Sequence, residues 1–164
     1  MMSVLRIRSA STRLLATAIV MIVGALALSG CRGSRDTAEP RAVPLTVHVT
    51  GADDLNGGGN AAFVHVYQLA DDAGFRNAPP ESFWQAPDQA LGSSMLSTSQ
   101  VQLFPGEDET ITVGLGSDTR YVGVAANLRD PDRDRWRAVF PAAELAGKSI
   151  HVTVDSNGLS AALQ

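Results

Sequence analysis

From Pro44 to the end of the chain the apolar residues recur at every second position, and this period of two restricts the chain to strands. Leu45, Val47 and Val49 alternate with Thr46, His48 and Thr50. Phe63, His65, Tyr67 and Leu69 alternate with Val64, Val66 and Gln68, which predicts a strand covered on both faces. Val101 and Leu103 face Ile111, Val113 and Leu115 across Pro105-Gly106-Glu107-Asp108, a pattern that predicts a hairpin. Tyr121 to Leu128 makes a long apolar strand, and Trp136, Ala138 and Phe140 another. Ile150, Val152 and Val154 turn at Asp155-Ser156-Asn157-Gly158 into a last short strand near Leu159. Strands at this spacing, with turn residues between them, specify an all-β two-sheet sandwich over residues 44–164. Asp71 to Leu91 breaks the rhythm. It holds Phe75, Phe83 and Trp84, and Pro79-Pro80-Glu81 suits the first turn of a short helix. This helical insertion is expected to be pinned to the sandwich by its aromatics.

The first thirty residues follow another rule. Arg6, Arg8 and Arg13 precede an uncharged run from Leu14 to Leu28, too short for a spanning helix, which needs about 20 apolar residues. Residues 1–30 therefore read as an export signal that is cleaved. It ends in Leu28-Ser29-Gly30-Cys31, which resembles the lipobox of bacterial lipoproteins. Cys31 is the only cysteine, and its thiol is the nucleophile for a diacylglycerol. Acylation makes the protein membrane-anchored, and by the sorting rule for such lipoproteins Arg32, in place of Asp, implies the outer membrane. The polar stretch Arg32 to Val43 reads as a flexible tether. Twelve flexible residues have an r.m.s. span of roughly 17–21 Å.

Residues 31–164 hold ten Lys plus Arg against seventeen Asp plus Glu, a net charge of −7. That balance argues against nucleic acid or anionic lipid as partner. With no second cysteine, packing alone must hold the fold. Asp130, Asp132 and Asp134 have a calcium-loop spacing, but the sixth and twelfth positions are Arg135 and Pro141 instead of Gly and Glu, so a charged turn is the better reading. His48 and His151 lie on the polar phase of their strands and His65 shares a phase with Phe63 and Tyr67, which disfavours a three-His metal site. No Gly-x-Ser-x-Gly elbow, HExxH motif or phosphate-cradling loop is present. No cofactor beyond the lipid on Cys31 is expected, and no enzymatic activity.

Gly51 to Asn60, joining the first two strands, is longer than a tight hairpin needs. It carries two acids, the apolar Leu55, expected to be exposed, and three glycines expected to form a flexible tip. Loops on a rigid β-scaffold are where binding commonly resides.

The order of these features resembles the TssJ outer-membrane lipoproteins of the bacterial type VI secretion system. Val64-His65-Val66-Tyr67-Gln68-Leu69 is similar to that family's V-x-V-Y-Q-L strand, and Phe75 to Trp84 to its helical insertion. Tyr121-Val122-Gly123-Val124-Ala125-Ala126, Arg129-Asp130 and Arg135-Trp136-Arg137 resemble its Y-x-G-V-x-A…R-D…x-W-R block, and Asp155-Ser156-Asn157-Gly158 its ending. The resemblance implies a transthyretin-like sandwich without catalysis. It also implies an outer-membrane anchor that binds the periplasmic part of TssM within a TssJ–TssL–TssM complex. The loop between the first two strands would be the binding element, here Asp53, Asp54, Leu55, Asn56 and Gly57. Arg129, Arg135 and Trp136 read as structural. The competing reading is a periplasmic ligand-binding or chaperone-like sandwich lipoprotein.

The lipobox reading makes a direct prediction. Cys31→Ser removes metabolic fatty-acid labelling and releases the protein from membranes, whereas undiminished labelling of the variant would refute it.

Overall fold

The computed structural model describes residues 42–130 and 135–164. The signal segment, Cys31 and the tether up to Arg41 lie outside the described residues, as do Asp132 and Asp134 of the aspartate-rich turn.

Among the described residues, eight strands form two four-stranded sheets. Sheet A has the order β4 (Asp108–Leu115), β1 (Val43–Gly51), β7 (Ile150–Asp155) and β8 (Gly158–Leu163). Sheet B has the order β3 (Met95–Leu103), β2 (Ala62–Leu69), β5 (Tyr121–Asn127) and β6 (Arg137–Pro141). All neighbours are antiparallel except β1 and β7, which run parallel with Val47 opposite Ile150. The alternation read from the sequence is the core pattern. Leu45, Val47 and Val49 of β1 are buried, as are Val64 and Val66 of β2 and Ile150, Val152 and Val154 of β7. Their Thr and His neighbours form the outer surface of sheet A.

The predicted hairpin across Pro105-Gly106 is not one. Its turn forms, with Glu107 N–H donating to the Phe104 carbonyl and Gly106 at φ 74°. Yet β3 pairs with β2 and β4 pairs with β1, so the turn carries the chain from one sheet to the other. A Pro-Gly turn reverses the chain equally well in either case; the pairing is decided by distant strands. The β1–β2 connection also crosses between sheets rather than closing a hairpin.

Sheet B is covered on both faces, as the β2 pattern requires. Over its outer face lie α2 (Ala73–Asn77), α3 (Pro80–Gln85) and α4 (Pro87–Leu91), with Pro80 and Pro87 in first-turn positions. Phe75 and Phe83 are fully buried and meet edge to face at 5.7 Å, and each lies 5.7 Å from Tyr67 of β2. Trp136, also buried, lies 4.9 Å from Phe83. Such aromatic pairs contribute about 0.5–1.5 kcal/mol beyond the burial of their area. Burial pushes the Tyr67 hydroxyl up to about 12, with the negative charge of Asp88 adding to the effect, and burial lowers His65 from its usual 6.5. Arg137 fastens the insertion from β6. Its guanidinium donates to the carbonyls of Phe75 and Ala78 at 2.6 Å each and to that of Arg76, and it stacks 4.5 Å from the centre of the Trp136 ring.

Gly123 in the Tyr-x-Gly-Val stretch has a packing reason. A Cβ there would fall 2.8–3.1 Å from three atoms of the Phe75 ring. Gly123→Ala is therefore expected to lower stability by about 1–3 kcal/mol through overpacking, read as a lower urea midpoint at unchanged slope. A midpoint equal to wild type would show that the insertion is free to give way.

Candidate functional site

The strands place the connections 52–61, 104–107 and 156–157 at one end of the sandwich, where β5 also ends and β6 begins. The chain enters the domain at the opposite end, at Val43, about 27 Å away along the nine residues of β1.

The β1–β2 connection is built differently from the flexible tip expected of it. Leu55 is fully buried in the core, not exposed. A single apolar residue in a polar loop has no periodicity to betray its direction, and here it is the plug that seats the loop on the sandwich. Residues Leu55–Gly58 make one turn, α1, which bends left-handed from its second residue. Asn56 has φ 52°, and Gly57, Gly58 and Gly59 have φ 76°, 101° and 89°. Left-handed backbone costs glycine nothing and asparagine little, so the glycines encode a shape rather than slack. The turn is closed by the N–H groups of Gly59 and Asn60, which both donate to the Leu55 carbonyl.

Side chains then tie the turn to its neighbours. The Asn56 amide donates to the Ala61 carbonyl at 2.9 Å, and its oxygen accepts the Arg129 N–H at 2.7 Å. Asp54 accepts the Ser156 hydroxyl at 2.6 Å. The Asp53 carboxylate lies 3.2 Å from where a Cβ on Gly106 would stand. Of the five residues proposed for partner binding, Asp53, Asp54 and Gly57 are exposed, Asn56 is partly buried in a structural role, and Leu55 is withdrawn altogether. Exposed apolar side chains that the sequence reading missed lie nearby: Phe104, in the turn after β3, and Phe63, on β2. Nothing in a period-two pattern separates an outward phenylalanine from an inward one when both faces of the strand look apolar.

The remaining candidates separate. His48 and His151 meet on the outer face of sheet A with ring centres 4.6 Å apart, while His65 lies against Trp84 on sheet B. Among the described residues no group of three potential ligands converges on a metal-sized site. At the tether end an apolar cleft of about 330 Å³ is lined by Val43, Pro44, Leu115, Thr119, Ala142 and Leu145. The hydroxyl of Thr119 is already bonded to Gln68 at 2.8 Å.

Fold and loops together define a β-sandwich scaffold that presents preformed connections at the ends of rigid strands. Residues 43–157 match the family model T6SS-SciN, described as type VI secretion lipoprotein, VasD, EvfM, TssJ. The chain belongs to this family of type VI secretion lipoproteins, which are structural components rather than enzymes. In fold it is similar to the crystal structure of the T6SS lipoprotein TssJ1 from Pseudomonas aeruginosa, with 23% identity, TM-score 0.66, and 75% of this chain and 97% of that chain covered. A chain of a structure described as a type VI membrane complex is similar at 24% identity and TM-score 0.67, with 73% and 98% covered. A chain of one described as the T6SS protein TssM C-terminal domain from EAEC is similar at 23% identity and TM-score 0.65, with 73% and 97% covered. No curated protein matches the sequence.

The buried loop residue and its exposed neighbours should respond oppositely to truncation. Leu55→Ala is expected to cost about 2–5 kcal/mol of stability, whereas Asp53→Ala should stay within about 0.5 kcal/mol of wild type. Equal denaturation midpoints for the two variants would contradict the plug role of Leu55.

Proposed function

We propose that this lipoprotein, anchored through lipid on Cys31 to the periplasmic face of the outer membrane, holds the type VI membrane complex by binding the periplasmic part of TssM. In this reading TssJ, TssL and TssM form one assembly and this chain takes the TssJ part. Residues 32–42 act as the tether between lipid and domain. The observation that carries the proposal is the position and the hydrogen-bonded shape of the β1–β2 connection. It stands at the end of β1 opposite Val43, the residue at which the strand begins.

Asp53, Asp54 and Gly57 supply the exposed contact surface, while Leu55 and Asn56 hold its shape. A loop fixed before binding loses little conformational freedom when it docks, which favours affinity without a large interface. The resemblance of the fold to chains in the membrane-complex and TssM structures supports the same partner.

The test uses the mature lipoprotein and the periplasmic domain of its cognate TssM. Asp53→Lys is expected to weaken the complex about tenfold or more, with an unchanged melting temperature. Wild-type affinity in that variant would remove the loop from the interface. Absence of any complex with the wild-type protein at micromolar concentration would overturn the function itself.

A further inference from the structure

Each sheet of a sandwich ends in two strands whose outer backbone groups have no ladder partner, and natural proteins guard such edges with charge, proline or brevity. Three of the four edges here are guarded. β4 begins with Asp108 and Glu109, β6 is five residues long with Arg137 and Pro141 at its ends, and β8 has six residues, opening on glycine and carrying mostly small side chains. β3 is the exception. Met95–Leu103 runs nine residues, pairs with β2 along one side, and contains no charge, no proline and no glycine.

The exposed apolar surface gathers along the same strand. Four large apolar side chains are prominently exposed among the described residues: Val43, Phe63, Leu96 and Phe104. Leu96 lies in β3 and Phe104 directly follows it. Phe63 stands on β2 opposite Gln102 of β3. An unguarded edge flanked by apolar side chains has the two elements of strand addition: main-chain groups for affinity and alternate side-chain contacts for specificity.

We propose that β3 is a docking edge for an extended segment of the partner, which adds as a fifth strand to sheet B. This rests on the function proposed above and deepens it. The occupant is argued from continuity with the loop surface. β3 runs directly into the Phe104–Glu107 turn, whose Gly106 N–H donates to the Gly51 carbonyl at 2.9 Å and where a Cβ on Gly106 would stand 3.2 Å from the Asp53 carboxylate. A segment paired along β3 therefore arrives at Asp53. The chemistry that fits is an extended strand of alternating apolar and uncharged polar residues, with Lys or Arg at the end that reaches Asp53.

Hydrogen exchange on the mature lipoprotein, alone and with the cognate TssM periplasmic domain, tests this. Backbone amides of residues 95–103 are expected to exchange about tenfold or more slowly in the complex. Thr98→Lys with Gln100→Lys, both at exposed positions, should weaken binding about tenfold without changing the melting temperature. A complex that forms while exchange in 95–103 stays unchanged would overturn the docking edge and leave the loop reading standing. Protection that grows with concentration of the lipoprotein alone would assign the edge to a second copy and equally overturn the proposal. No complex at all would remove both readings.

Discussion

Both passages of the chain between the two sheets at the loop-bearing end converge on Gly51. Its N–H donates to the Glu107 carbonyl at 2.8 Å, and its own carbonyl accepts the Gly106 N–H at 2.9 Å. A Cβ at this position would stand 2.6 Å from the Phe104 carbonyl oxygen, inside any real contact distance. This close approach welds the end of β1 to the turn that carries β3 into β4, just where β1 itself departs for sheet B. Ala52 then bonds to Val154, which brings the end of β7 into the same junction. The orientation of the β1–β2 connection therefore follows from backbone contact at one glycine, and Leu55 and Asn56 fix its shape only after that junction exists.

The strands were legible because half-burial writes itself into the sequence at period two, and the insertion because three aromatics in a proline-rich stretch need somewhere to go. Strand pairing was not legible. Pro105-Gly106 forms the turn that its residues demand, but the choice between hairpin and crossover depends on whether β4 fits better beside β3 or beside β1. That comparison involves residues more than fifty positions apart, such as Val47 opposite Ile111. The β1–β2 connection falls between the two strands where the sequence pattern places it, and its interior differs from the expectation. Leu55 looked exposed because its neighbours are polar, and the glycines looked slack because positive φ and freedom share the same residue type. Asn56 was the available signal: asparagine next to a glycine run is the residue that enters left-handed backbone and bonds locally.

The helical insertion shows how a recognisable sequence block translates into packing. Tyr121-Val122-Gly123-Val124 supplies a strand with a gap at Gly123, Phe75 fills the gap, and Arg137 collects the carbonyls at the end of α2. None of Gly123, Phe75 and Arg137 lies in the β1–β2 connection. The set buries the outer face of sheet B around Tyr67, and the far side of β3 is the edge that nothing else in the described domain pairs with.

β1 thus divides the labour of the molecule between its two ends. At Val43 the strand follows a polar stretch of sequence with no apolar periodicity, and at Gly51 it passes into a connection held by a buried leucine, four left-handed residues and bonds to Arg129 and Ser156. A connection already held in shape loses little conformational freedom on contact. The same ten residues without the buried Leu55 and the Asn56 bonds would lose that freedom with every encounter. The glycine run therefore serves the shape of the connection: at positive φ it takes a backbone conformation that other residues adopt only with strain.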